Sequence, residues 1–292
     1  MIENEDSAGR SIRDERAARE PEAAPVEAWD ELADDYDRYV TPGEAEVALA
    51  ALRLAGLEPG HRVLDVAAGT GGLSLPAARL GARVVATDWS PRMIERFEAR
   101  VREEGLRNTE ARVMDCHSLD FPDGAFDVAG SQFGVMLVPD QLTALREMAR
   151  VTRPGGRVLL IAYGDPAEFE ALHFFVAALE AVVPGLRGLP ADPPLEFQVA
   201  DPDVMRRRLV AAGLRDVRVD TSHCERIEVR SGQELWDWCL GGNPIPNALV
   251  RGLSREQRRA VLRALDDSVS ARAGAEGAAV LTAPLNIGIG VK

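Results

Sequence analysis

Short apolar runs alternate along the middle of the chain with segments whose apolar residues recur every three or four positions. The runs predict buried strands, and the recurring positions between them predict helices that bury one face. Strands alternating with helices at this spacing form a parallel sheet covered by helices on both faces, so the pattern predicts an α/β fold. Five strands are predicted in this core, at 62–66, 83–87, 109–113, from 126 onward, and 157–162.

The pattern is less regular on either side of this core. Residues 1–25 mix charges of both signs with alanine and proline and show no apolar period, which predicts a disordered or loosely attached arm. We expect a core at 26–165 and a remainder at 166–292, which holds the rest of the sheet and a helical insertion at about 232–277. The elements predicted in the remainder are helices at 166–183, 201–213 and most of 233–273, and strands at 216–219 and 284–291.

A glycine-rich turn follows the first predicted strand. The run from Val63 to Gly72 reads Val-Leu-Asp-Val-Ala-Ala-Gly-Thr-Gly-Gly, and only small residues make so tight a strand-to-helix turn. Such a turn lets a ligand approach the backbone and presents helix N–H groups to an anionic group. The second strand ends in Asp88, about twenty residues on, where an acid is placed to hold ribose hydroxyls. The turn alone is also compatible with a NAD site or with a plain tight turn.

Composition limits the classes of function. The formal charge of −13 and the pI near 4.9 disfavour a general nucleic-acid binder, which needs a basic surface. No apolar run is long enough to span a bilayer, and the N-terminus lacks the apolar core of a signal peptide, so we expect a cytoplasmic protein. The three cysteines have no metal-ligand spacing, and we expect no bound metal and no disulfide framework.

Five ordered blocks between Trp29 and Gly164 resemble the class I S-adenosylmethionine-dependent methyltransferases, closest in style to the ubiquinone/menaquinone-type and small-molecule branch. The resemblance covers about half the chain and implies a doubly wound, mostly parallel seven-stranded sheet of the Rossmann-like type, with an antiparallel last strand and a helical insertion. The blocks are Tyr36-Asp37-Arg38-Tyr39, Asp65 to Gly72, Ala86 to Met93, Asp115 to Asp127, and Arg153-Pro154-Gly155-Gly156.

The resemblance implies that S-adenosylmethionine is the cofactor and S-adenosylhomocysteine the product. Asp65 is expected to orient the amino group, and Asp88 to accept hydrogen bonds from the ribose hydroxyls. Gly69 and Gly71 are expected to let the methionine moiety lie against the turn. Ala67 departs from the family, which often has glycine there, but alanine is small enough to keep the binding surface.

On the adenine side, the resemblance implies that Trp89 and Met93 pack against the ring. Asp115 is expected to accept a hydrogen bond from the adenine amino group, while Cys116 supplies a backbone N–H. Packing in the core is the alternative for Met93 and Trp89, and a simple strand-end turn is the alternative for Asp115.

For the methyl-transfer channel, the resemblance implies lining by Gln132 and Phe133. Tyr39 is expected to close over the cofactor from the N-terminal helix, with helix packing as the alternative. His173, in the apolar helix after the fifth strand, is the predicted base, with an exposed or structural histidine as the alternative. Tyr163, at the end of the fifth strand, is the other polar candidate near the expected pocket.

The predicted function is therefore methyl transfer to a small apolar or aromatic acceptor, at oxygen or carbon, by in-line displacement in quinone or secondary-metabolite biosynthesis. Two alternatives remain open: an enzyme that binds S-adenosylmethionine without methylating, such as a cyclase of a natural-product pathway, and a non-catalytic subunit. The segment at about 232–277 is expected either to cover the site or to form a homodimer.

Overall fold

A central sheet of eight strands organises the protein, as seen in a computed structural model that describes residues 23–183, 194–275 and 277–292. Seven strands follow one path in the order β3-β2-β1-β4-β5-β8-β6, and β7 pairs only with β8. The strands are β1 Arg62–Val66, β2 Arg83–Asp88, β3 Thr109–Val113, β4 Phe126–Gln132, β5 Thr152–Tyr163, β6 Arg215–Asp220, β7 Cys224–Val229 and β8 Ala279–Val291.

The first five strands are parallel, and β8 runs antiparallel to β5, β6 and β7. The predicted doubly wound sheet with an antiparallel last strand is thus confirmed. The prediction missed β7, and it began β8 five residues late. Strand β7 buries alternate residues, but the first of them is Glu225, whose charge hides the apolar alternation in the sequence.

Ten α-helices lie within the described ranges. They are α1 Val26–Asp35, α2 Thr41–Leu54, α3 Ser74–Arg79, α4 Pro91–Glu104, α5 Gln141–Val151, α6 Glu170–Val182, α7 Pro202–Ala211, α8 Gly232–Gly242, α9 Pro244–Val250 and α10 Arg255–Arg272. A π turn at Tyr36–Val40 joins α1 to α2 without a break. Ser90 caps the start of α4, because its Oγ accepts a hydrogen bond from the Met93 N–H at 3.1 Å.

Two apolar clusters fill the interior. The larger surrounds the middle of the sheet, and the second lies between α6, α8, α10 and the β7–β8 pair, where Trp236 is buried. Tyr163 at the end of β5 packs against both clusters. The predicted boundary near residue 165 remains a prediction, although it falls close to this junction.

Residues 1–22 of the predicted arm and most of the proline-rich stretch at 184–194 lie outside the described residues. Within the described ranges, no helix combines the length and apolar character needed to cross a membrane.

Candidate active site

A deep cavity opens at the carboxyl ends of the parallel strands. Its wall includes the residues that end or follow β1, β2, β4 and β5, together with parts of α6, α8 and α9. In open α/β sheets this edge is where ligands bind, because the strand-to-helix turns leave a crevice there.

Asp65 is the next-to-last residue of β1 and lines this cavity with only 1% of its surface exposed. One carboxylate oxygen, Oδ2, accepts a hydrogen bond from Ser74 Oγ at 2.6 Å, while Oδ1 has no partner in the structure. Burial raises the pKa of Asp65 to about 7, and the charges of Glu44 and Asp88 add to that rise. A buried carboxylate with one oxygen unpaired is well suited to bind a cationic or hydrogen-bond-donating group of a ligand.

Asp88 ends β2 and lines the same cavity, with both carboxylate oxygens already engaged. Oδ2 accepts from the Gly69 N–H at 2.9 Å, and Oδ1 accepts from the Ser90 N–H at 2.9 Å. Burial raises the pKa of Asp88 to about 6, although these two hydrogen bonds stabilise the carboxylate and oppose the rise. The acid therefore ties the glycine turn to the start of α4, in addition to the ribose role that the resemblance implies.

The turn itself has left-handed backbone at Ala67 (φ +53°) and Gly69 (φ +54°), and both residues line the cavity. Gly71 requires a correction, because it is absent from the cavity wall. A Cβ built there would lie 2.6 Å from the ring of Phe97, so Gly71 is needed for close packing of the turn against α4. Its neighbour Gly72 lines the cavity instead.

The predicted adenine side is also assembled at this cavity, since all four of its residues line the wall. Met93 is buried, whereas Trp89 is 44% exposed at the rim. Asp115 accepts hydrogen bonds from the backbone N–H of His117 at 2.9 Å and lies 2.7 Å from its Nδ1. Burial raises the pKa of the Cys116 thiol to about 12, which disfavours a nucleophilic thiolate.

Asp115, Cys116 and His117 place three donor atoms within 4.8 Å of one another. Asp115 is exposed and already engaged by His117, so this group is not a preorganised cage. The expectation of no bound metal stays a prediction.

Tyr36 and Glu44 form a pair over the glycine turn that sequence reasoning missed. Tyr36 donates its hydroxyl to Glu44 Oε1 at 2.7 Å, and both side chains line the cavity. A Cβ added to Gly69 would lie 3.7 Å from the Tyr36 ring, and one added to Gly72 would clash with Glu44 Oε2. Burial raises the pKa of Glu44 to about 7.

The predicted lid residue Tyr39 requires a correction, because it does not line the cavity. Its ring instead lies under the Arg38 guanidinium, 5.2 Å from the ring centroid. The π turn at Tyr36–Val40 is the physical reason: its wider turn breaks the 3.6-residue spacing and turns Tyr36, not Tyr39, toward the cavity.

Tyr163 does line the cavity, as predicted, and it donates its hydroxyl to Glu225 Oε2 at 3.0 Å. Burial raises the pKa of Glu225 to about 8, with a contribution from the charge of Glu44. Burial and the Glu225 charge also raise the pKa of the Tyr163 hydroxyl, so a phenolate is disfavoured. Tyr163 acts here as a hydrogen-bond donor.

His173 is not placed as predicted. It lies on the exposed face of α6, while its helix neighbours Leu172 and Phe175 line the cavity. The prediction rested on the position of His173 in an apolar helix, but the helical period directs its side chain away from the cavity. Its side chain is absent from the cavity wall that the described residues form.

Gln132 and Phe133, at the end of β4, are placed as predicted. Gln132 donates its side-chain amide to the Glu44 backbone oxygen at 3.1 Å, and its own carbonyl oxygen is buried without a partner. Phe133 adopts a left-handed backbone (φ +57°) and stacks on Tyr163 with ring centroids 4.7 Å apart.

A methyltransferase-domain family model matches residues 63–156, which span β1 to the start of β5. The C-methyltransferase of ubiquinone and menaquinone biosynthesis from a Geobacter species is 33% identical over 186 residues, covering 58% of this chain and 76% of that protein. The chain belongs to the S-adenosylmethionine-dependent methyltransferases. Membership of this family confirms, at the level of the family, the predicted enzyme class and S-adenosylmethionine as cofactor.

Other relatives match a shorter part of the chain. An uncharacterised protein of Mycobacterium tuberculosis is 40% identical over 129 residues, covering 44% of this chain and 47% of that protein. The chain thus spans about half the length of the first curated relatives it matches. The YcgJ protein of Bacillus subtilis shares the fold, with a TM-score of 0.52 and 20% identity over 85% of this chain and 98% of that one.

The unpartnered Oδ1 of Asp65 and the left-handed turn beside it fit the family's cofactor, whose methionine moiety carries an ammonium group. The rest of the cavity is mostly apolar and is covered by α6, α8 and α9. Among the described residues of its wall there is no lysine or arginine. The covering side chains are Phe169, Leu172, Phe175, Phe197, Trp238, Ile245 and Leu249.

Proposed function

We propose that the protein transfers a methyl group from S-adenosylmethionine to a small acceptor with an apolar or aromatic body. The observation that carries this proposal is a single cavity with a cofactor-type acid, Asp65, at one end and an aromatic wall at the other. We define the aromatic wall as Phe133, Tyr163, Phe169 and Trp238, whose successive ring centroids lie 4.7, 4.7 and 6.2 Å apart.

When bound, S-adenosylmethionine supplies an electrophilic methyl group on a sulfonium. Asp65 and the turn at Ala67–Gly69 would hold the amino acid end, and Asp88 the ribose. The protein's main tasks are then to align the acceptor and to exclude water, because an in-line displacement depends on collinear placement. The aromatic wall and the covering helices serve both tasks.

Glu44 is the proposed proton acceptor, in place of His173. It is buried in the cavity wall over the glycine turn, and its pKa of about 7 lies near neutral pH. A group with such a pKa takes a proton effectively from a hydroxyl or an acidic carbon. The Tyr36 hydroxyl, which donates to Oε1, fixes the orientation of the carboxyl group.

Methylation at oxygen or carbon, in quinone or secondary-metabolite biosynthesis, is the finer form of the proposal. The quinone context is supported by relatives described as a C-methyltransferase of ubiquinone and menaquinone biosynthesis and as the demethylmenaquinone methyltransferase of Beutenbergia cavernae, the latter 41% identical over 128 residues. The cavity supports an acceptor that carries no negative charge, because the described wall offers no lysine or arginine to neutralise one.

Calorimetric titration with S-adenosylhomocysteine, with NAD as the control, tests the cofactor site first. Methyl-labelled S-adenosylmethionine is then incubated with phenolic and quinol acceptors, and S-adenosylhomocysteine formation is measured. Binding of S-adenosylhomocysteine together with turnover that depends on an added acceptor supports the proposal. Binding without any turnover favours the non-methylating alternative, and absence of binding overturns the cofactor site.

A further inference from the structure

Glu196 is a buried acid in the acceptor half of the cavity that the mechanism above does not use. It lies in the short turn Leu195–Phe197 and is 9% exposed, yet its side chain forms part of the cavity wall. Its Oε2 has no hydrogen-bond partner, and its Oε1 has only a long contact, 3.4 Å, with the side-chain amide of Asn243.

No positive charge compensates this carboxylate among the described residues. Glu196 forms no ion pair there, and burial raises the pKa of its carboxyl group with no cation to oppose the rise. An unpaired buried carboxylate destabilises the folded protein by itself, because the charge loses its water without gaining a partner. A ligand that brings a positive donor removes that penalty.

The surroundings of Glu196 are suited to a cation. Phe197 is its neighbour in the turn, and the aromatic wall faces the same cavity. The faces of aromatic rings attract ammonium groups, and a carboxylate beside them adds charge-assisted hydrogen bonds. Asn243, at the start of α9, closes this end of the cavity from the covering helices.

We propose that Glu196 is the anchor for a protonated amine on the acceptor, and that the acceptor is an aryl-alkyl amine or a similar apolar molecule with one ammonium group. This inference rests on the proposed function, because it names the acceptor class of the same cavity. The ammonium lies at Glu196 and the apolar body lies along the aromatic wall. Asn243 orients the carboxylate from the covering side.

Three probes of one shape test the charge preference: 2-phenylethylamine, the neutral 2-phenylethanol and the anionic phenylacetate. Each is titrated calorimetrically into the full chain saturated with S-adenosylhomocysteine. We expect the amine to bind at least about tenfold more tightly than the alcohol, a difference of about 1.4 kcal/mol, and the anion to bind more weakly than either. Equal binding of amine and alcohol, or no binding of the amine, overturns the proposal.

Glu196→Gln keeps the shape of the side chain and removes its charge. We expect this variant to bind amine and alcohol equally while it retains its affinity for S-adenosylhomocysteine, which also shows that it is folded. Glu168→Gln, at an exposed acid in the short turn Pro166–Glu168, is the matched control and keeps the amine preference. An amine preference that survives in Glu196→Gln overturns the assignment. Failure of wild-type protein to bind S-adenosylhomocysteine is a separate result, and it counts against the proposed function.

Discussion

The two halves of the cavity are built in different ways. The cofactor half comes from four strand ends, and its key residues lie in short sequence blocks such as Asp65 to Gly72 and Ala86 to Met93. The acceptor half combines α6, the turn at 195–197, and parts of α8 and α9. These segments are far apart in the chain, and none of them carries a recognisable motif.

The two halves also differ in how far apart in the sequence their interacting residues lie. In the cofactor half, local backbone geometry and chemistry coincide: Asp88 binds the Gly69 N–H and so shapes the turn that it adjoins. In the acceptor half, the environment of a side chain such as Glu196 is set by residues from distant segments, of which Asn243 is one. Short sequence motifs therefore predict the residues of the cofactor half but give little information on the acceptor half.

In the cofactor half, the largest loss of cofactor affinity is expected from Asp88→Ala. The change leaves the Gly69 and Ser90 N–H groups without their partner and removes the proposed ribose contacts, which weakens S-adenosylhomocysteine binding by about 1–3 kcal/mol. Calorimetry measures the loss, with the exposed Asp120→Ala as the control. Unchanged affinity in a folded Asp88→Ala protein would remove Asp88 from the cofactor site.

Glu44→Gln tests the proposed base at the boundary of the two halves. We expect turnover to fall by about 10²–10⁴-fold, because a positioned base contributes on that scale, while S-adenosylhomocysteine affinity stays near the wild-type value. Wild-type turnover should rise with pH as Glu44 ionises near pH 7, and the variant should lose that rise. The exposed Glu46→Gln on the same helix is the control, and an equal loss in both variants would count against the assignment.

Gly232→Ala tests whether the acceptor half folds together with the sheet. A Cβ at Gly232 would lie 2.4 Å from the Asp266 N and 2.7 Å from the Leu262 O, and these backbone atoms of α10 cannot move freely. We expect the free energy of unfolding to drop by about 1–3 kcal/mol in a urea titration. Gly252→Ala, which meets nothing within 4 Å, should change little. A second, separate transition in Gly232→Ala would show that the two halves unfold independently.

Glu225→Gln is expected to change the stability of the folded protein by an amount that depends on pH. Since burial raises the pKa of Glu225 from 4.5 to about 8, the folded state holds this proton more tightly than the unfolded state. The stability from this group is therefore lost as pH rises between those two values. The melting temperature of Glu225→Gln should exceed that of wild type more at pH 8 than at pH 5. Glu228→Gln, exposed on the same strand, should show no such trend, and a flat difference for Glu225→Gln would contradict the prediction.

The smallest effect is expected from His173→Ala. The side chain is exposed and lies outside the cavity, so both S-adenosylhomocysteine affinity and turnover should match wild type. A loss of turnover with intact affinity would restore the histidine as a base and would show that α6 moves during catalysis.

The parallel sheet, the glycine turn and the acids of β1 and β2 could be predicted from the sequence alone, because strand period and turn chemistry are local properties. Tyr163 could also be predicted as a candidate, because the carboxyl ends of parallel strands border the crevice. The family model matches the same part of the chain, residues 63–156.

The remaining features depend on how distant segments pack. With the π turn at Tyr36–Val40, Tyr36 rather than Tyr39 lines the cavity, and the helical period of α6 places His173 at the surface. The buried acids Glu44, Glu196 and Glu225 look like ordinary surface residues in the sequence, because their burial depends on segments that pack against them from far along the chain. Burial changes the pKa of a carboxyl group, and burial is a property of the fold rather than of the local sequence.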